Sequence, residues 1–276
     1  MSIAVGAFLA SIGAGAFGAL VGIGGGLIIV PVLTELLGVP IKTAIAASLI
    51  GVIATSTGAT SRYLSAGLAD RRLGLMLLIP TVAGSITGSL LNKVLDANVL
   101  AGLFGLLLVF VAVQLLRQKK PSTSAPLPAD EASDFVSTYT EPTDGTEIPY
   151  RARRIRFGLV SSFFAGNVSA LLGIGGGVIN VPTMTIAMGI PIRVATTTST
   201  YMLGPTAVTS ALIYFAAGVL DPILAGPVAL GVFIGARAGA RFSTRVSQAG
   251  LRLAFIGVAL FFAVQMFARF IQNVSL

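Results

Sequence analysis

Gly22-Ile-Gly-Gly-Gly-Leu-Ile-Ile-Val-Pro31 returns later in the chain as Gly173-Ile-Gly-Gly-Gly-Val-Ile-Asn-Val-Pro182, an offset of 151 residues. The register holds without a gap beyond the glycines. Thr34 meets Thr185, Gly38 meets Gly189, Ala44 meets Ala195 and Ser48 meets Ser199. Farther along, Tyr63, Gly67 and Asp70 meet Tyr214, Gly218 and Asp221, and Gly84 and Gly88 meet Gly235 and Gly239. The chain is one unit written twice, and a repeat of this kind decides the fold before any single element does. The apolar start belongs to the repeat as well: Ser11, Ala14 and Gly15 have twins in Ser162, Ala165 and Gly166. It is therefore expected to be part of the fold and not a removable leader.

The unit is built for lipid. Of 276 residues, 55% are hydrophobic and 10% charged, against about 25% charged in soluble domains. The chain has no cysteine and no histidine, which removes disulfides, thiol nucleophiles, the common zinc ligand sets and imidazole acid–base chemistry. No cofactor or metal is expected. The net charge of +8 raises the question of nucleic acid, but the basic residues cluster at the ends of apolar runs, as the positive-inside bias of membrane proteins requires. The lipid bilayer, and not nucleic acid, is the expected partner.

Apolar segments fall at about 2–21, 23–38, 41–66, 72–93 and 97–116, and again at 156–172, 174–188, 191–217, 222–243 and 248–271. The reading is an all-α polytopic membrane protein with a first repeat over 1–116 and a second over 156–276. Between them, 117–155 carries five prolines and six of the ten acidic residues, with basic residues at both ends. Such a composition predicts a polar, disordered linker.

Five segments per copy is an odd number, so if all cross, the second copy is inverted relative to the first. With ten crossings and both termini outside, thirteen Lys and Arg lie at cytoplasmic ends, among them Arg71, Arg72, Lys119, Arg153 and Arg193, while Lys42, Lys93 and Arg269 lie outside. If 23–38 and 174–188 merely dip into the membrane, eight crossings remain and the count falls to ten against six. The ten-segment inverted plan is therefore expected. It places the linker in the cytoplasm and the chain in the cell (inner) membrane. The second element, however, is only about 18 Å long as a helix, so a broken or re-entrant helix is expected there.

The glycine runs also carry the expected chemistry. Three glycines in a row weaken a helix, and unwound backbone survives in a membrane only where protein or a cavity covers it. A helix restarting at Gly24, Gly25 and Gly26, or at Gly175, Gly176 and Gly177, points free N–H groups and a positive dipole end at whatever lies there. The residues predicted to help hold a small-molecule anion are Ser48, Ser199, Asn180 and Tyr201, with Arg62 and Arg237 as intramembrane charges. Each also has a plainer role: glycines let helices pack closely, hydroxyls bond between helices, and arginines near segment ends snorkel. Asp70 and Asp221 read as N-caps. Glu35 is the single carboxylate inside an apolar segment, and its twin is Ile186. No nucleophile–base pair, metal set or carboxylate dyad is visible, so enzymatic activity is not expected.

With the doubled Gly-x-Gly-Gly-Gly-x-x-x-Val-Pro pattern, the Tyr63/Gly67 and Tyr214/Gly218 pairs and Gly235-Ala-Arg-Ala-Gly239, the chain resembles the sulfite exporter TauE/SafE family, also called the sulfonate uptake permease family. The resemblance covers both apolar halves and leaves out the linker. It implies a secondary transporter for sulfite, thiosulfate or a short organosulfonate such as sulfoacetate. Sulfite titrates near neutrality and could carry its own proton, which would dispense with a buried carboxylate pair. A passive anion channel and a membrane assembly protein are the alternatives. The oligomeric state, the anion and its direction of movement are not read from the sequence.

Overall fold

The computed structural model describes residues 3–21, 25–65, 67–117, 135–140, 146–242 and 248–274. The first copy forms α1 (Ile3–Val21), α2 (Gly26–Pro31), α3 (Ile41–Ser65), α4 (Arg71–Val94) and α5 (Ala97–Arg117). The second forms α6 (Ile155–Leu172), α7 (Gly177–Pro182), α8 (Ile192–Ala216), α9 (Pro222–Phe242) and α10 (Gln248–Val274). α2 and α7 each run on into a π-helical turn, Val32–Leu36 and Thr183–Ala187. The wider turn follows a proline at the same place in both copies, Pro31 and Pro182. That is where the missing N–H and the ring disturb the α-helical ladder.

Among the described residues, six helices are long and apolar enough to cross a membrane: Ile41–Ser65, Arg71–Val94, Ala97–Leu116, Ile155–Leu172, Pro222–Gly239 and Leu253–Ile271. This is a polytopic, all-α membrane protein. α8 is as long as α3, with the hydroxyl run at 196–200 lowering its hydropathy.

The copies are interlocked. α1 packs on α9 and α4 on α6, so the first helix of each copy lies against the fourth helix of the other. α3 packs on α8 and α5 on α10, each helix against its own twin. Glycine makes the closest of these contacts possible. A Cβ on Gly84 would run into the Phe163 carbonyl and one on Gly88 into that of Asn167. In the twin pair, Gly235 faces the Ile12 carbonyl and Gly239 that of Ala16. Close backbone approach through small residues is how membrane helices associate when the solvent is itself apolar.

The same contacts set directions. Gly84, Gly88 and Asn92 meet Phe163, Asn167 and Leu171 in ascending order, so α4 and α6 are parallel. Gly74 lies on Thr198 and Tyr201, and Ser89 faces Tyr214, so α8 is parallel to them too. α3 runs the other way: Ser56 donates to the Thr200 carbonyl and Thr197 to that of Leu68. α9 follows α3, with Gly51 against Val228 and Val232 and Gly58 against Phe233. Because α6 and α8 are parallel, the chain runs back between them through α7 and its π-helical turn.

The linker departs from expectation. Residues 118–134 and 141–145 lie outside the described residues, but β1 (Val136–Thr140) and β2 (Glu147–Arg151) form an antiparallel hairpin, with Val136 opposite Arg151 and Thr140 opposite Glu147. Phe135, Tyr139, Tyr150 and Ala152 are buried against Leu73, Leu77, Met184, Met188 and Met202. The Tyr150 hydroxyl donates to Asp70 Oδ2 at 2.6 Å, and Arg72 stacks on the Phe135 ring. These aromatic residues supply the apolar surface that a disordered linker lacks, which is why part of it folds.

Candidate functional site

The two glycine segments meet. A Cβ on Gly26, at the start of α2, would sit 2.6 Å from the Gly173 carbonyl and 3.1 Å from Ile174 Cα. Gly173 and Gly175 have φ of 69° and 76°, left-handed values that favour glycine. α6 ends at Leu172 and α7 starts afresh at Gly177. The return helix from Gly177 through Ala187 has eleven residues, about 16 Å. At its far end the Met188 carbonyl accepts from the Arg153 amide at 2.9 Å, level with the start of α6. Gly177 therefore lies roughly halfway across a hydrocarbon layer about 30 Å thick.

Two side chains flank this break. Ser199 Oγ lies 3.3 Å from where a Gly177 Cβ would be, and Asn180 Nδ2 lies 3.4 Å from that of Gly176. Asn180 is 1% exposed and Ser199 2%, yet Asn180 Oδ1 and Ser199 Oγ have no hydrogen-bond partner. A buried polar atom left unpaired costs about 1–3 kcal/mol, so the fold holds two of them at the first turn of α7. That turn also presents the Gly177 and Val178 amides, which have no acceptor within a helix. The two amides, the Ser199 hydroxyl and Asn180 Nδ2 are hydrogen-bond donors at a positive helix end with no formal charge, and Asn180 Oδ1 is an acceptor beside them.

The first copy is different at the same positions. Ile29 stands where Asn180 stands. Ser48 Oγ donates to the Gly173 carbonyl at 2.6 Å, with the Ile45 carbonyl also in range at 2.8 Å. Ser48 thus ties α3 to the glycine segment of the other copy. Gly25 packs against Ile29 and Val232, and Gly24 lies outside the described residues. Tyr201 is half-buried against Gly74 on α4, and Arg237 is exposed on α9. Arg62 falls within α3, with its side chain outside the described residues.

Other residues define the ends of the bundle. Asp70 Oδ1 accepts from the Leu73 amide and Asp221 Oδ1 from that of Ile223, so both cap their helices. Asp70 also takes the Tyr150 bond, and its own amide donates to Thr198 Oγ1 at 2.9 Å. Burial, and then the Asp70 carboxylate beside it, hold the Tyr150 phenol protonated well above the ordinary tyrosine range. Glu35 pairs with Arg269 at 3.4 Å, joining the π-helical turn after α2 to α10.

Two interlocked copies around a helix broken at mid-depth make a membrane transporter of the repeat-built kind. The sulfite exporter TauE/SafE family model matches residues 7–266, and the chain belongs to that family. Two relatives from Bacillus subtilis (strain 168) agree in class. The probable membrane transporter protein YunE is 27% identical over 205 residues, covering 74% of this chain and 73% of the relative. The probable membrane transporter protein YdhB is 27% identical over 217 residues, covering 77% and 79%. No solved structure gives a significant match.

Proposed function

We propose that this transporter carries a small sulfur-containing oxyanion or organosulfonate, of the sulfite, thiosulfate or sulfoacetate type, across the cell membrane by alternating access. The observation that carries the reading is the break before α7. Ser199 stands there buried with an unpartnered hydroxyl, beside Gly177, and Asn180 turns its Nδ2 donor toward Gly176. Substrate oxygens accept from the amides of the α7 first turn, from Ser199 Oγ and from Asn180 Nδ2. Neutral donors hold an oxyanion without trapping it. Ser48, by its bond to Gly173, braces the break, and Gly25 and Gly26 let the copies approach.

The directions of the helices support an inverted repeat. The contacts of α9 with α1 and α3, and of α4 with α6 and α8, fit α1 and α3 running opposite to their twins α6 and α8. In this reading all ten elements carry the chain across, the hairpin lies on the cytoplasmic side and both termini lie outside. Because each copy gives its first helix to the other, the moving bodies are α1–α9 and α4–α6 pairs rather than sequence halves.

Flux of labelled anions into proteoliposomes tests the reading, with Asn180→Ala and Ser199→Ala as partners. Saturable uptake that weakens about tenfold to a hundredfold in each variant is expected, since a hydrogen bond to a charged group contributes about 1.5–3 kcal/mol. Uptake linear in concentration would favour a passive channel.

A further inference from the structure

The break has a second end. α6 stops at Leu172 with its last carbonyls exposed to the interior, and side chains from two other helices reach them. Asn92 Nδ2 on α4 donates to the Leu171 carbonyl at 3.0 Å, and Tyr214 Oη on α8 donates to that of Ala170 at 2.8 Å. Ser89, one turn before Asn92, lies beside the Tyr214 hydroxyl but outside hydrogen-bond geometry with it. Ser89, Asn92 and Tyr214 are at most 1% exposed. Ser89 Oγ and Asn92 Oδ1 have no hydrogen-bond partner. Elsewhere on the same face of α4, Thr81 and Ser85 donate back to the Leu77 and Val82 carbonyls. Ser89 does not.

The unpaired atoms here are acceptors. Ser89 offers its lone pairs and Asn92 its amide oxygen, and Tyr214, having given its proton to Ala170, has lone pairs left. They lie at the negative end of the α6 dipole. Oxygen ligands of this kind suit a hard cation. No carboxylate is among them, which disfavours a divalent ion that draws on anionic ligands, and neither an alcohol nor an amide binds a proton at ordinary pH. We propose that Ser89, Asn92 and Tyr214, with the Ala170 carbonyl, form a sodium site, and that sodium held there is linked to the anion at the α7 end of the same break. The link rests on the function proposed above; the site does not. The repeat supplies no second copy of it, because Ala240 stands at the twin of Ser89 and Ser243 at that of Asn92.

Binding of radiolabelled sodium to the purified full-length protein in detergent is the test, with unlabelled sodium, potassium and choline chlorides as competitors. Ser89→Ala is the variant, because removing an unpaired hydroxyl leaves every bond to α6 in place. Saturable sodium binding, weakened at least tenfold in Ser89→Ala while its Tm holds, is expected. No saturable binding, as when a buried water fills the place, overturns the site, as does binding unchanged in Ser89→Ala. Anion flux is read in liposomes of the same preparation. Flux without sodium binding overturns the sodium site and leaves the transport reading standing. Sodium binding lost in Ser89→Ala without flux of any sulfur anion supports the site and overturns the substrate reading.

Discussion

At the scale of single residues, hydrogen bonds separate bracing from binding. Ser48 and Ser199 are twins, yet Ser48 spends its proton on Gly173 while Ser199 keeps an unpaired oxygen. Ser48→Ala should therefore lower stability by about 1–3 kcal/mol, the cost of a buried carbonyl left without a donor, read as a fall in Tm. Ser199→Ala should leave Tm nearly unchanged and weaken uptake. The repeat alone makes these two look alike, because their difference depends on what the other copy brings to each. The sequence shows an amide at Asn180 where the first copy has Ile29, but it treats the two glycine runs as equivalent. Tyr150 makes a further prediction. Its pKa is raised on folding, so the stability it contributes through Asp70 is fully present below about pH 10, the unfolded value. It is lost only as pH rises further. Tyr150→Phe should lower Tm by the same amount at pH 6 and pH 8.

At the scale of elements, the sequence shows each helix within a few residues, because long apolar runs between capping aspartates and glycines leave little choice. Asp70 and Asp221 start α4 and α9 as their positions indicate. The hairpin is where local reading fails. Its strands are five residues each, set among prolines and acids, and their aromatic side chains gain their burial from methionines on α8 and the π-helical turn far along the chain. The exchange of α1 and α4 between copies is equally invisible in one sequence, since Gly84 and Gly235 mark a close contact without naming its partner. The contacts make a clear prediction: Gly84→Leu and Gly235→Leu should each lower Tm strongly, since their side chains would enter the backbones of Phe163 and Ile12. The cost exceeds the 1–3 kcal/mol usual for overpacking. Gly13→Leu, where a Cβ meets nothing within 4 Å, should be tolerated.

At the scale of the whole molecule, the repeat and the composition are enough to give a membrane protein with paired breaks, but the asymmetry between those breaks comes from the folded chain. The second is the one that Ser48 braces through Gly173, and it also holds the unpaired atoms of Asn180 and Ser199, whereas Ile29 stands at the first-copy twin of Asn180. Topology is testable at this scale too. A reporter fused to the C-terminus should signal outside the cytoplasm and one inserted in the linker inside it; both on the same side would contradict the ten-element plan.

The most direct measurement is saturable, gradient-driven uptake of sulfite, thiosulfate or a short sulfonate into proteoliposomes containing wild-type protein or Gly177→Ala. The added methyl meets only Ser199 Oγ within 4 Å, at 3.3 Å, and alanine favours a helix over glycine, so the variant should fold with an unchanged or higher Tm. The account predicts saturable flux in the wild type and its sharp loss in Gly177→Ala. Wild-type flux retained in full by the variant would contradict an anion held at the start of α7.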